Sequence, residues 1–216
     1  MPKYVRPTIP ALTFRDDSGQ VIDYGNRWPD GDGPEDTYEV VSHPERFKPL
    51  HDVADALIRY LSDTYAVEVL NDADPARPTF RRGIVVPTER CVRLRPDDEN
   101  AATLTFFFRS FPSIDVEAGL LSWDVFPSCG CDHCDETADW AADELEEYVF
   151  AVVGGGLRET LSTTPPESTI EIRTNDGEHA GTSWSLQSHL SRNEAQHVRA
   201  RLAEVNGPWA AWPARE

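Results

Sequence analysis

Three of the four cysteines in this 216-residue chain fall in one short run, Phe126-Pro-Ser-Cys129-Gly-Cys131-Asp-His-Cys134-Asp-Glu136. Thiolates are soft ligands, and the C-x-x-C half of this run can chelate one ion. Gly130 between the first two cysteines lets the backbone turn sharply. The spacing therefore makes Cys129, Cys131 and Cys134 candidate ligands for zinc or an iron–sulfur centre. A tetrahedral zinc needs a fourth ligand, for which His133, Asp135 and Cys91 are the candidates. Two alternatives stay open: plain thiols in a turn, or a reactive thiol.

Local charge bears on that choice. A thiolate just before a helix is stabilised by the helix dipole, which would lower the pKa of Cys134. Asp132, Asp135, Glu136, Asp139, Asp143, Glu144, Glu146 and Glu147 surround the same turn. Between Arg109 and Arg158 there is no arginine or lysine. Negative charge raises a thiol's pKa, so these cysteines are expected to be better ligands than nucleophiles. Arg77, Arg81, Arg82, Arg90, Arg93 and Arg95 form the opposite asymmetry, with Glu89 as the one acid from 77 to 95. They read as an anion site or as sheet arginines paired with the protein's own acids, and the second is favoured. No H-E-x-x-H, G-x-S-x-G or phosphate loop occurs, and the six histidines are scattered.

The elements that must position the cysteine run follow from periodicity. Residues 1–41 hold many turn-formers, with a hairpin about Asp16-Asp-Ser-Gly19 and a loop over 28–36. Ser42-His-Pro-Glu45 has capping-box spacing. Leu50, Val53, Leu57, Ile58 and Leu61 give a helix from about Pro49 to residue 64. From 66 to 126 the period becomes two, predicting strands at 66–70, 84–86, 90–94, 103–109 and 114–125. Leu104, Phe106 and Phe108 share one face and Phe107 the other, as in a central strand.

A long helix is expected from about Thr137 to Leu161, with Gly154-Gly-Gly156 marking an end or a close contact. Strands at 169–174 and 183–189 flank an Asn175-Asp-Gly177 turn. The capping box Ser191–Glu194 opens a last helix that ends at Asn206-Gly207. Trp209 and Trp212 should dock the tail on the body. The expected fold is α+β: a mostly antiparallel sheet of about six or seven strands with three main helices. One domain over 1–216 is expected, with 1–41 as an irregular segment packed on it.

Composition bounds the function. A chain this long buries roughly 70% of its unfolded surface, so neither disulfide nor metal is required for folding. The net charge of −18 repels phosphate and anionic membranes, which argues against nucleic acid and membrane partners. A basic protein or a metal ion remains compatible. The first ten residues lack the apolar run of a signal peptide, and no stretch approaches eighteen apolar residues. A cytoplasmic location is expected, where thiols stay reduced rather than forming disulfides.

Several pieces of the chain together resemble a bacterial family known only as a domain of unknown function. They are Asp23-Tyr-Gly-Asn-Arg-Trp28, Asp36-Thr-Tyr38, His43-Pro-Glu-Arg-Phe47, Cys129-Gly-Cys-Asp-His-Cys-Asp135 and the Trp209…Trp212-Pro tail. The C-G-C-D-x-C-D motif is the most specific of them. The resemblance implies an intracellular, single-domain protein and supplies no activity. Two functional readings follow from the residues. The first is a non-enzymatic module that binds a basic partner and carries a structural zinc site. The second is a metal- or thiol-dependent enzyme that uses the cysteine turn.

Overall fold

The architecture is described from a computed structural model covering residues 3–29, 31, 33–71, 79–81, 84–162, 168–173, 179–180 and 190–216. A ribbon of β1 (Phe14–Arg15) and β2 (Val21–Ile22) precedes two 3-10 turns, Glu35–Thr37 and Pro44–Phe47. Helix α1 (Pro49–Thr64) leads into β3 (Val67–Asn71), β4 (Thr79–Arg81), β5 (Ile84–Val86), β6 (Thr88–Pro96), β7 (Leu104–Arg109), β8 (Ile114–Ala118) and β9 (Ser122–Phe126). Helix α2 (Ala138–Val153) follows. The last elements are β10 (Leu157–Leu161), β11 (Ser168–Arg173), β12 (His179–Ala180) and helix α3 (Arg192–Val205).

The fold is α+β, as expected, with its strands divided among sheets. Five of them form an antiparallel sheet in the order β3-β6-β7-β8-β9. β10, β11 and β12 form a second, three-stranded sheet, and β4 pairs with β5. Strand β7 lies at the centre of the large sheet, and all six of its residues are buried. Leu104, Phe106 and Phe108 enter the main core beside Val92, Leu94, Ile114 and Val116. Leu50, Val53, Leu57 and Leu61 of α1 and Ala141, Leu145, Val149 and Val152 of α2 pack into the same core. Their i, i+3, i+4 and i+7 spacing gives each helix one apolar stripe to bury.

The opposite face of β7 is buried too. In register across the sheet lie Cys91, Phe107 and Asp115. Arg109 Nε and Nη2 donate to Asp115 Oδ2 at 2.9 and 2.8 Å, a pair almost wholly out of solvent. Of the arginines singled out between 77 and 95, Arg90 pairs with Asp55 at 2.6 Å and Arg95 with Glu68. Arg93 donates to Thr105 Oγ1. Arg90 and Arg95 thus pair with the protein's own acids, as favoured from sequence, whereas Arg93 meets a threonine. The side chains of Arg77, Arg81 and Arg82 lie outside the described residues.

Three local expectations are corrected. The long helix stops at Val153, and residues 157–161 are a strand rather than its last turns. Gly155 takes φ +82°, and a Cβ at Gly156 would overlap the carbonyl oxygen of Arg173, so glycine ends the helix and admits β11 closely. Residues 114–125 are two strands, because Gly119 at φ +60° turns the chain between β8 and β9. Ser42 does not cap a helix. His43 occupies the cap position of the 3-10 turn without a side-chain bond, and the Ser42 hydroxyl donates elsewhere.

The expected last helix and docked tail hold. Ser191 and Glu194 form a capping box, and Asn206 closes α3 at φ 51°. β11 pairs antiparallel with β12, while the expected Asn175-Asp-Gly177 turn and the expected strand 183–189 lie outside the described residues. Trp212 Nε1 donates to the Ala102 carbonyl, and Trp209 Nε1 to buried Glu159. Glu159 also accepts backbone N–H groups of Leu120, Leu121 and Ser122. One carboxylate thus ties β10, the β8–β9 turn and the tail together. Among the described residues no helix is long and apolar enough to cross a membrane.

Candidate metal centre

The cysteine run is the connection from β9 to α2. Its path is set by hydrogen bonds made outside the sulfurs. Glu136 reaches back to accept from Gly130 N at 2.8 Å, Cys129 N at 3.1 Å and the Ser128 hydroxyl. Gly130 takes φ +75°, and a Cβ there would press on Phe111 and Phe47. Thr137 then opens α2 by accepting from Trp140 N. The loop is therefore folded by its own acid, its glycine and the helix cap.

Within this loop three sulfurs converge. Cys129 Sγ lies 3.1 Å from Cys131 Sγ, and Cys131 Sγ lies 3.4 Å from Cys134 Sγ. All three sit within 4.8 Å of one another. Four-coordinate zinc with bonds of about 2.3 Å spaces its sulfurs by about 3.8 Å, so a small outward shift would admit an ion. Cys131 is buried, Cys129 half-buried and Cys134 exposed, and all are thiols without a disulfide. Among the described residues, this is the group of histidine, cysteine and acid side chains close enough to hold a metal ion.

The fourth-ligand candidates do not join it. Cys91 is buried in β6 opposite Phe107. His133 hydrogen-bonds through Nδ1 to the Pro34 carbonyl at 3.2 Å and packs edge-on against Tyr38. Asp135, at φ 53°, accepts through Oδ2 from the N–H groups of Gly25 and Arg27 at 2.8 and 2.9 Å. Three ligands come together, and the fourth position is left to something other than these side chains.

The expected rise is found at Cys129 and Cys134 but not at Cys131, and the acids are not its cause. The carboxylates near the sulfurs are occupied, and two arginines from the N-terminal third of the chain balance them. Arg46 is buried, stacks at 4.2 Å over the ring of Tyr24, and donates to the Gly130 and Glu136 carbonyls. It also stands 3.9 Å from Asp132. Arg27 lies 3.6 Å from Asp132 and 4.0 Å from Asp135. Arg6 takes up Asp143 and Glu146 at 2.5 and 2.6 Å.

The thiols diverge for a nearer reason. Burial works to raise Cys131, but hydrogen bonding from Cys129, from backbone N–H groups and with Cys134 outweighs it, and the group comes down to about 7. Burial and the sulfur contacts raise Cys129 and Cys134.

Sequence reasoning missed the residues that grip the turn. Asp132 accepts from the Ser42 and Tyr24 hydroxyls, and its own N–H donates to the Val40 carbonyl at 2.7 Å. Its carbonyl accepts from Trp28 Nε1 at 3.1 Å. Residues 24–29 and 33–42 therefore wrap the cysteine loop. The available signal was the resemblance itself: Asp23–Trp28, Tyr38 and His43–Phe47 are the stretches that meet Cys129–Asp135 in space.

Fold and site together define an α+β protein with a three-thiol turn clasped by its N-terminal segment. The profile of a family described as "Family of unknown function (DUF6226)" matches residues 10–216, and the chain belongs to that family. No curated protein and no solved structure matches it.

Proposed function

We propose that this chain is a metal-thiolate protein in which Cys129, Cys131 and Cys134 hold one zinc ion. The carrying observation is the convergence of three sulfurs within 4.8 Å in a loop shaped by other bonds. Ligands brought together in advance bind an ion without the cost of ordering the loop. The lowered Cys131 thiol supports the reading, because the ligand form of cysteine is the thiolate. Zinc suits a set of sulfur donors. The ion would fasten the β9–α2 loop to residues 24–29 and 33–42.

The test is a zinc titration of reduced, metal-free protein against a chromophoric chelator, repeated on Cys131→Ser. One equivalent taken up by the parent and a large loss in the variant support the proposal. Equal uptake by both, or none by either, overturns it.

The outer side of α2 supports a second reading, capture of a basic protein. Asp139, Asp143 and Glu147 are exposed there, and Trp140 is half out of the surface. Capture from host lysate should weaken as salt rises, since exposed charges are screened within about 10 Å at 0.1 M. Capture that ignores salt rules this reading out.

A further inference from the structure

The exposed sulfur of the centre, Cys134, is also part of a wall. A cleft of about 530 Å³ opens beside it, lined by Tyr24, Trp28, His133, Cys134 and Trp140 among others. We propose that this cleft and the unfilled fourth position of the metal form a binding site for a small, uncharged aromatic nitrogen donor, an imidazole-type ring. This rests on the metal reading above.

Coordination number comes first. Zinc sites closed by four protein ligands are structural, whereas three protein ligands leave a position for an exchangeable group. His133 and Asp135 are engaged with Pro34 and with the Gly25 and Arg27 N–H groups, and Cys91 lies in the sheet. Cys134, the exposed member of the three, lines the cleft, so an ion held by the group would lie at the edge of that cleft.

Charge selects the donor. Three thiolates on a divalent ion leave a net charge of −1, in a molecule that carries −18. Among the described residues the cleft is lined by no arginine or lysine and by Asp135, so an anion finds no partner on its wall and an uncharged donor is preferred. Alkylamines are protonated near neutral pH and have no lone pair to give. An imidazole-type nitrogen, with a pKa near 6.5, offers an uncharged lone pair and is a favoured zinc ligand.

Shape agrees with that choice. Tyr24, Trp28 and Trp140 supply aromatic surface, and Trp140 is 50% exposed, a large apolar side chain left at the rim. Planar rings gain by stacking or edge contacts with such side chains. His133 adds a further ring to the wall, held in place by its Nδ1 contact with the Pro34 carbonyl.

Cobalt in place of zinc reads this directly. The cobalt-loaded full chain should show thiolate charge-transfer absorption and d–d bands. Imidazole should shift the d–d bands with saturation, whereas azide at the same concentration should not. Trp140→Ala should keep the cobalt and weaken the imidazole response about three- to tenfold. Intact charge-transfer bands with no imidazole shift, an equal shift with azide, or an unchanged response in Trp140→Ala would each overturn the site while leaving the metal reading standing. Absence of the charge-transfer bands would remove the metal reading and this site with it.

Discussion

At the residue scale, Cys131 decides the chemistry of the turn. It sits between the other two sulfurs, buried, accepting from Cys129 and within hydrogen-bond distance of Cys134. In metal-free, reduced protein a single thiolate should form with a midpoint near pH 7, while Cys129 and Cys134 ionise above the ordinary thiol value. Ultraviolet thiolate absorption against pH checks this. Three thiols rising together near 8.5 would contradict it. The cysteine spacing was legible in the sequence because ligands to one ion can lie in one short loop. The arginines that balance the loop were not legible: Arg27 and Arg46 come from 105 and 84 or more positions away. Cys131 escapes the expected rise because hydrogen bonds from its neighbours outweigh burial, contacts that spacing along the chain does not show.

At the element scale, the clasp and the carboxylate under the tail can be separated. Ser42→Ala removes one hydrogen bond to Asp132 and should cost about 1 kcal/mol. Asp132→Ala removes the carboxylate 3.9 Å from buried Arg46 together with the acceptor of the Ser42 and Tyr24 hydroxyls, and should cost roughly 2–4 kcal/mol. Limited proteolysis should then cut within residues 24–42 while the large sheet persists. Cleavage no faster than in the parent would show that Asp132 does not hold the segment. Glu159 is a separate lock. Its four donors leave no acceptor for an amide N–H, so Glu159→Gln should destabilise by roughly 2–3 kcal/mol, as measured by denaturant unfolding. Burial raises the Glu159 carboxyl, so the folded chain holds that proton more tightly than the unfolded one. Its contribution is full below the ordinary carboxylate value and is lost as pH rises through the folded value.

The helices and the central strand were legible because their periods of 3.6 and two survive any arrangement of neighbours. What periodicity missed were the breaks. Gly119 and Gly154–Gly156 look alike as glycines, and only the close approach of Glu159 to one and of Arg173 to another shows what they permit. Ser42 carried a cap signal that the fold spends on Asp132. A local motif and a long-range contact compete for the same hydroxyl, and here the buried carboxylate wins.

At the scale of the whole molecule, the core is built from α1, α2, the large sheet and the tail tryptophans, and none of it depends on the sulfurs. Removing zinc should lower the melting temperature by a few degrees and leave far-ultraviolet dichroism unchanged, since 1 kcal/mol shifts a chain of this size by roughly 2–4 °C. Loss of the helical signal on chelation would mean that the metal holds the fold itself. The most direct test of the central proposal is elemental analysis of untagged protein purified without chelator or metal affinity resin. One equivalent of zinc per chain, lost in Cys131→Ser, is the expected result. Well under one equivalent in the parent, or zinc retained by the variant, would contradict a three-cysteine zinc centre.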